Sequence, residues 1–467
     1  MKNPIPPRPS TNSLSRRRFL QATSASTLGV LALPSLVAST VLGRGGATAP
    51  NSRILVACIG TGPQGRGVMG NFLSQPDCRV VAVCDVKTDS LQRGRDQVNH
   101  AYQNQDVRAY ADFREVLERP EIDGVLIGTP DHWHVPISLA AARAGKDIYL
   151  EKPMGLVVEE NQRLRSALKK HGRIFQFGTQ QRSGSQFWQA CQLVRSGHIG
   201  TLKHIDVWCA ASQPGGTTQP AQVPPTIDYD FWLGPARYTP YTEQKCAEDG
   251  KTWWFTYDYA LGFVAGWGVH PLDIAYWGCP SLTQGPLAVE DQGVIPTEGA
   301  CDTAVAWEVL FRSHNGVTLR YRGTPNGYDT PSPLTDFTDW RQQYGRIVDH
   351  GTAFVGSEGW ILVDRTQIRT SPESLVEIRF SPDAHVIRRS NNHVRDLLDC
   401  MRSRAQPICN IDEAFQADQL CHLSDLAIRL DRRLTWDPRK ERFTGDREAN
   451  RRLRIRSTRQ PWAKMLA

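Results

Sequence analysis

The sequence predicts an α/β chain of two domains: a doubly wound parallel sheet first, then an α+β domain whose strands are mostly antiparallel. Three observations predict it. Short β-branched runs alternate with helix-length amphipathic stretches between residues 54 and 152, as βαβ units require. The first of those runs ends in a glycine-rich turn. From residue 304 the pattern changes to strands separated by turns: "AVAWEVLF", "GVTLRYRG" and "GTAFVGSEGWILVDR". At 467 residues the chain is longer than one ordinary core sustains, so two domains are expected. The expected divisions are a leader at 1–49, a first domain at 50–172 and a second at 173–467.

The leader carries "SRRRFLQ" at 15–21 and then a weakly apolar run interrupted by Pro34. That run is a poor membrane anchor, since a spanning helix needs about 20 predominantly apolar residues. The arginine pair followed by Phe-Leu resembles a twin-arginine export signal, which implies a periplasmic destination. Lys2, Arg8, Arg16, Arg17, Arg18 and Arg44 lie in the leader with no acid among them. Without those six cations the formal charge falls from +7 to +1, which gives no electrostatic case for nucleic acid or anionic membrane. No later segment is long and apolar enough to span a bilayer, so the mature form is expected to be free of the membrane. The eleven cysteines are odd in number and scattered, with no CxxC pair and no Cys/His cluster of zinc spacing. Neither a disulfide framework nor a metal site is expected.

The first strand, Ile54 to Ile59, leads into Gly60-Thr61-Gly62-Pro63-Gln64-Gly65. Glycines at this spacing allow a tight turn and close backbone approach to a pyrophosphate seated on the next helix N-terminus. The second strand, "CRVVAVCD", ends in Asp85, twenty residues beyond Gly65. A carboxylate there accepts hydrogen bonds from ribose hydroxyls and repels a 2′-phosphate, so NAD is favoured over NADP. "YADFREVLERPEI" reads as a helix, "DGVLIGTP" as a strand and turn, "VPISLAAARAGK" as a helix ended by Gly145, and "DIYLEKP" as the next strand. "GTPDHWH" and "EKPMG" therefore fall at carboxyl ends of parallel strands, the edge where such sheets bind ligands.

This ordered set, the glycine turn, "TPDHWH", "AGKDIYLEKP" and a later "GWGVHPLD", resembles the Gfo/Idh/MocA family of NAD(P)-dependent oxidoreductases from about residue 52 to 467. The resemblance implies an N-terminal Rossmann domain. It also implies a second domain built on an open, mostly antiparallel sheet, with one face over the nicotinamide and the other available for homo-oligomers. It makes Lys152 the residue that orients substrate and stabilises charge, with Lys152-Pro153 a cis peptide, and His270 the catalytic base. Thr129, Pro130, His134 and Glu151 would line the cofactor, with Gly60, Gly62, Pro63, Gln64, Gly65 and Asp85. His132 is equally a structural histidine or a cofactor ligand. The family pattern places an Asp four residues before the histidine, where this chain has Gly266. Asp273, three residues after His270, is the nearest carboxylate and shares its face if the segment is helical.

"RIFQFGTQQRS" reads as a strand entering the second domain, with Gln180 at its end facing the cofactor and Arg182 available for substrate. Aromatics crowd 228–277, and most are core. One or two of the 253–259 group are expected to face substrate, with Trp254, Tyr257 and Asp258 the candidates. The stretch 391–443 reads as helices closing the domain. The expected reaction is hydride transfer on a sugar or polyol-like substrate, His270 taking the hydroxyl proton and Lys152 stabilising the alkoxide. Export implies a cofactor that stays bound and is regenerated within each cycle. One alternative is a redox-neutral NAD-dependent glycosidase that oxidises, eliminates, adds water and reduces. Another is a sugar-binding protein without turnover.

Overall fold

The computed structural model describes residues 52–248, 252–324, 334, 336–345, 347–384 and 386–466. The leader with its arginine pair lies outside the described residues. The first sheet contains β1 (Ile54–Ile59), β2 (Cys78–Cys84), β3 (Arg108–Tyr110), β4 (Gly124–Ile127), β5 (Asp147–Leu150) and β6 (Phe175–Phe177). Their order is β3-β2-β1-β4-β5-β6 and every pairing is parallel. Every residue of β4 and β5 is buried, as in strands covered on both faces. The longer connecting helices are α1 (Pro63–Leu73), α2 (Thr88–Tyr102), α3 (His134–Arg143) and α4 (Val158–His171), with a short helix at Phe113–Leu117 before β4. The helix α1 packs Gly65, Val68, Met69 and Phe72 inward, a spacing that keeps one face on the sheet. Strand order reverses between β1 and β4, so the carboxyl ends of β1, β4 and β5 open on one crevice.

Two expectations are corrected here. Strand β6, read as the entry to the second domain, pairs in parallel with β5 and completes the first sheet. Its three residues are all buried, which the sequence pattern alone does not assign to either domain. The region 391–443 is not simply helices closing the second domain. A helix at His393–Ser403 returns to the first sheet, and two further strands follow it.

The second sheet has nine strands: β7 (Leu202–Ala210), β8 (Leu287–Val294), β9 (Ala306–Ser313), β10 (Thr318–Thr324), β11 (His350–Gly356), β12 (Trp360–Val363), β13 (Ile368–Ser371), β14 (Leu434–Asp437) and β15 (Arg442–Phe443). They run β13-β12-β11-β7-β10-β9-β8-β14-β15, antiparallel except for the parallel β7–β10 pair. Helices α5 (Ser185–Arg195), α6 (Phe263–Gly266), α7 (Val269–Gly278) and α9 (Ile411–Leu430) pack with this sheet. α8 (His393–Ser403) places Val394, Leu397, Leu398 and Met401 against Ile54, Met69, Phe72 and Tyr149 of the first domain. A hydrophobic face that the first βαβ units leave open is thus covered by a helix from nearly 250 residues later (Tyr149 to His393). No helix among the described residues is long and apolar enough to cross a membrane.

Candidate active site

Gly60 sits at φ +88, and a Cβ there would lie 2.5 Å from the Gly128 backbone. A Cβ on Gly65 would lie 2.0 Å from the Gly60 carbonyl oxygen, so β1, its turn and α1 approach as closely as backbones can. The loop opens on a cavity of about 350 Å³ lined by Gly60, Gly62, Pro63, Gln64, Asp85, Thr129, Pro130, His134, Glu151, Lys152 and Trp254, among others. Three features fit a dinucleotide there. A Cβ on Gly62 would meet nothing within 4 Å, which leaves the loop face open. The first turn of α1 carries no acid and no side-chain cap, so its N–H groups are left for an anion. The Thr129 hydroxyl on the cavity wall is buried without a partner. The Asp85 carboxylate is fixed at the end of β2 by the N–H groups of Thr61 (2.8 Å) and Lys87 (2.9 Å).

The far end of this cavity is closed by the second domain. Cys246, Ala247 and Glu248 line it beside Val86, Lys87 and Ser90. Lys87 Nζ donates to the Cys246 carbonyl at 2.7 Å, and Ser90 Oγ donates to Glu248 Oε1 at 2.6 Å. Arg93 also pairs with Glu248. These contacts make a strap from α2 across to the second domain.

At the strand ends, His134 joins two turns. Its Nδ1 lies 2.6 Å from the Pro153 carbonyl and its Nε2 lies 2.9 Å from the Thr129 carbonyl, and the neutral ring, with one N–H, donates to one of the two. Burial pushes this imidazole down to about 4, against the pull of the two carbonyls. Lys152-Pro153 is cis, as expected. Glu151 is buried and accepts from Gln180 at 3.2 Å, and burial raises its carboxyl above the usual range. Lys152 is 6% exposed; its Nζ donates to the Gly266 carbonyl at 3.0 Å and lies 5.4 Å from the Trp254 ring centroid.

A second cavity, about 660 Å³, shares Gln64, Lys152 and Trp254 with the first. Its other walls include Gln180, Gln181, Gly266, Trp267, His270 and Arg365. His270 therefore faces the cavity that Lys152 enters from the cofactor side. Its imidazole is held well below its ordinary range, by burial first and then by the positive charges of Lys152 and Arg365. Its Nδ1 is buried with no hydrogen-bond partner.

Several expected site residues lie elsewhere. Asp273 does share α7 with His270, but its carboxylate is taken by Arg182, with Nη2 to Oδ1 at 2.6 Å and both side chains fully buried. Arg182 also reaches Glu413 (2.8 Å) and the Ile408 carbonyl, so neither partner is left for substrate or for His270. This corrects both assignments. The Tyr257 ring lies between Arg429 and Arg456, at 3.3 and 3.7 Å, and Asp258 pairs with Arg237. Neither lines the two cavities; of the aromatic group, Trp254 does, with Trp253 on the first. His132 is a structural histidine, its Nε2 bonded to the Trp232 carbonyl at 2.9 Å and its ring buried among Trp133, Trp232 and Tyr259.

Two residues were not anticipated. Asp131, the only acid of "TPDHWH", lines the cofactor cavity at 2% exposure with Oδ2 unpartnered. Burial raises its carboxyl well above the usual range, opposed by the charge of Lys152. Its place inside a recognised motif was the available signal. Arg365 comes from the β12–β13 turn, about 200 residues past Lys152, and nothing local in the sequence marks it. No group of three or more His, Cys, Asp or Glu able to hold a metal occurs among the described residues.

A parallel sheet with a glycine turn for a dinucleotide, meeting a mixed sheet that sets a histidine opposite a strand-end lysine, defines a two-domain nucleotide-dependent oxidoreductase. The chain belongs to the Gfo/Idh/MocA oxidoreductase family. Residues 54–179 match its "NAD-binding Rossmann fold" and residues 203–329 with 353–464 match its "C-terminal alpha/beta domain". A curated "Glycosyl hydrolase family 109 protein" from Saccharopolyspora erythraea is 31% identical over 163 residues, which is 32% of this chain and 36% of that protein. The chain thus aligns with little more than a third of that relative. The fold is shared with the WlbA dehydrogenase of Bordetella pertussis, solved with NADH and UDP-GlcNAcA (15% identity, TM-score 0.59, 82% of this chain and 98% of that one). It is shared equally with the aldose-aldose oxidoreductase of Caulobacter crescentus, solved with glycerol (18%, TM-score 0.58, 82% and 99%).

Proposed function

We propose that this protein is an NAD-dependent oxidoreductase acting on a sugar or glycoside by hydride transfer, with its cofactor held tightly and regenerated within each cycle. One observation carries the reading: Lys152, Gln64 and Trp254 belong to both cavities, and His270 stands on the wall of the second. NAD, when bound, supplies the hydride acceptor and donor. The glycine loop, Asp85, Thr129 and Glu151 are the residues that would hold it, and the Asp85 carboxylate disfavours a 2′-phosphate. An ammonium has three donors, so Lys152 keeps two for a substrate oxygen after its bond to Gly266. His270 is neutral at neutral pH and has a lone pair to take the hydroxyl proton. The strap at Cys246–Glu248 supports slow cofactor exchange.

The redox-neutral glycosidase is the second reading, favoured by the name of the Saccharopolyspora relative. A binding protein without turnover is disfavoured by Lys152 and His270 meeting at one cavity. Export to the periplasm rests on the arginine pair of the leader, and it requires a retained cofactor. Self-association through the second sheet rests on the family resemblance and is read by the mass in solution.

The test uses protein purified without added nucleotide. Denaturation should release close to one NAD(H) per chain, and a panel of sugars should be oxidised or exchanged without net NADH build-up. Aglycone release from aryl glycosides, again without NADH, would favour the glycosidase. A chain that carries no nucleotide, and makes NADH only with added NAD, would sink the retained-cofactor proposal and weaken export with it.

A further inference from the structure

The second cavity is electrostatically one-sided. Lys152 and Arg365 both line it, and no Asp or Glu is among its lining residues. Two carboxylates act on Arg365 through space without lining the cavity: Asp349, which accepts from His350 Nδ1 at 3.0 Å, and Glu151, which accepts from Gln180 beside the cofactor cavity. Arg365 is exposed, and among the described residues no carboxylate lies within ion-pair distance of its guanidinium and no hydrogen-bond partner is present; it lies over the Trp267 ring, 4.7 Å from the centroid. Trp267 in turn meets His270 edge-on at 5.5 Å between centroids, so a single ring separates Arg365 from the base.

The position of Arg365 is built. Asp364, fully buried, accepts from the N–H groups of Thr366 (2.7 Å) and Gln367 (3.0 Å), which fixes the turn. The Arg365 carbonyl accepts from Gln186 at 3.2 Å. A fixed backbone and a stacked guanidinium hold five N–H donors at the cavity with no acceptor of the protein's own.

We infer that the substrate is an anionic sugar, its charged substituent held by Arg365 while a hydroxyl meets Lys152 and His270. The planar guanidinium matches a carboxylate bidentately, so a sugar acid is the favoured form and a sugar phosphate or sulfate ester is the other source of the same charge. The inference rests on the sugar oxidoreductase reading and adds the charge of its substrate.

The experiment uses the full chain with its bound nucleotide. Matched pairs, 4-nitrophenyl β-D-glucuronide against the glucoside and galacturonide against galactoside, are compared for turnover (nicotinamide absorbance and nitrophenol release). They are compared in parallel for binding, by quenching of tryptophan fluorescence. Free glucuronate, glucose 6-phosphate and glucose 6-sulfate form a second set. The acidic member of a pair should be favoured about ten- to a hundredfold, the range of a charge-assisted hydrogen bond. R365Q should erase that ratio and R365K should restore part of it. A phosphate or sulfate preferred in an Arg365-dependent way keeps the anionic-sugar assignment and identifies the anion. Equal use of acidic and neutral members, or a ratio unchanged in R365Q, overturns the inference and leaves the proposed function standing. Arg365-dependent binding of acids with no turnover of any sugar does the reverse: it upholds the anion site and defeats the catalytic reading. No response to any sugar overturns both.

Discussion

Gly266 gives Lys152 a carbonyl oxygen where the family pattern offers a carboxylate. The position tolerates one: a Cβ there would come only within 3.8 Å of Phe263 and 3.9 Å of the Trp254 indole. G266D should therefore fold, and its charge beside Lys152 and His270 should raise the His270 pKa. A carboxylate within hydrogen-bonding range moves a neighbouring group by about 1–3 units. The base works in its neutral form, so turnover falls when pH drops through its folded pKa. In the parent that limb lies well below 6.5. In G266D the acid limb of kcat should move upward by about one unit or more, read from pH–rate profiles of the two proteins. Superimposable limbs would remove His270 from the base role. At this scale Lys152, His270, Asp85 and the glycines were legible because each sits in a short motif at a strand or helix end. Arg182, Asp273, Tyr257 and Asp258 were misread because sequence lists which polar groups exist and not which have already found partners.

The element placed to retain a bound cofactor, on the proposed function, is the strap between α2 and residues 246–248. It consists of a few hydrogen bonds and ion pairs at a half-exposed seam, each contributing about 1 kcal/mol. E248A removes the acceptor of both Ser90 and Arg93. Nucleotide retained after dialysis should fall, and its dissociation should quicken about tenfold, while far-ultraviolet circular dichroism stays that of the parent. Retention identical to the parent would place the hold on the cofactor elsewhere. Strands β1, β2, β4 and β5 and helices α1 and α3, but not β3, α2 or α4, were readable from hydrophobic period and glycine turns, which are local signals. The docking of β6 and α8 was not. A three-residue buried strand and an amphipathic helix look the same whichever core they join.

Across the whole molecule, buried neutral histidines tie stability to pH. His132 donates to the Trp232 carbonyl and His393 to the Phe177 carbonyl at 2.7 Å, and burial holds each at about 4 rather than 6.5. Between those values the unfolded chain binds protons that the folded chain refuses, so stability falls as pH drops from 6.5 to 4. The full loss is on the order of 3 kcal/mol for each histidine. Tm should decline steeply over that window, and H393N should flatten the slope. A Tm that is level from pH 7 to pH 4 would contradict the buried neutral state. All eleven cysteines are likewise buried.

The sequence by itself determined the fold class, the dinucleotide loop and the lysine and histidine of the site. Each of these is written in residues close together along the chain, where spacing alone sets what a turn or strand end can present. Only the tertiary structure decided which charges neutralise one another, which helix covers the first sheet, and that Arg365 reaches the cavity of Lys152. Those outcomes depend on segments 90 to 250 residues apart coming together (Arg182 paired with Asp273, Lys152 and Arg365 lining one cavity, Tyr149 packed with α8), which spacing along the chain does not encode. A buried charge must find its partner across the fold, as Arg182 and Asp273 do, and no local pattern announces which partner that is.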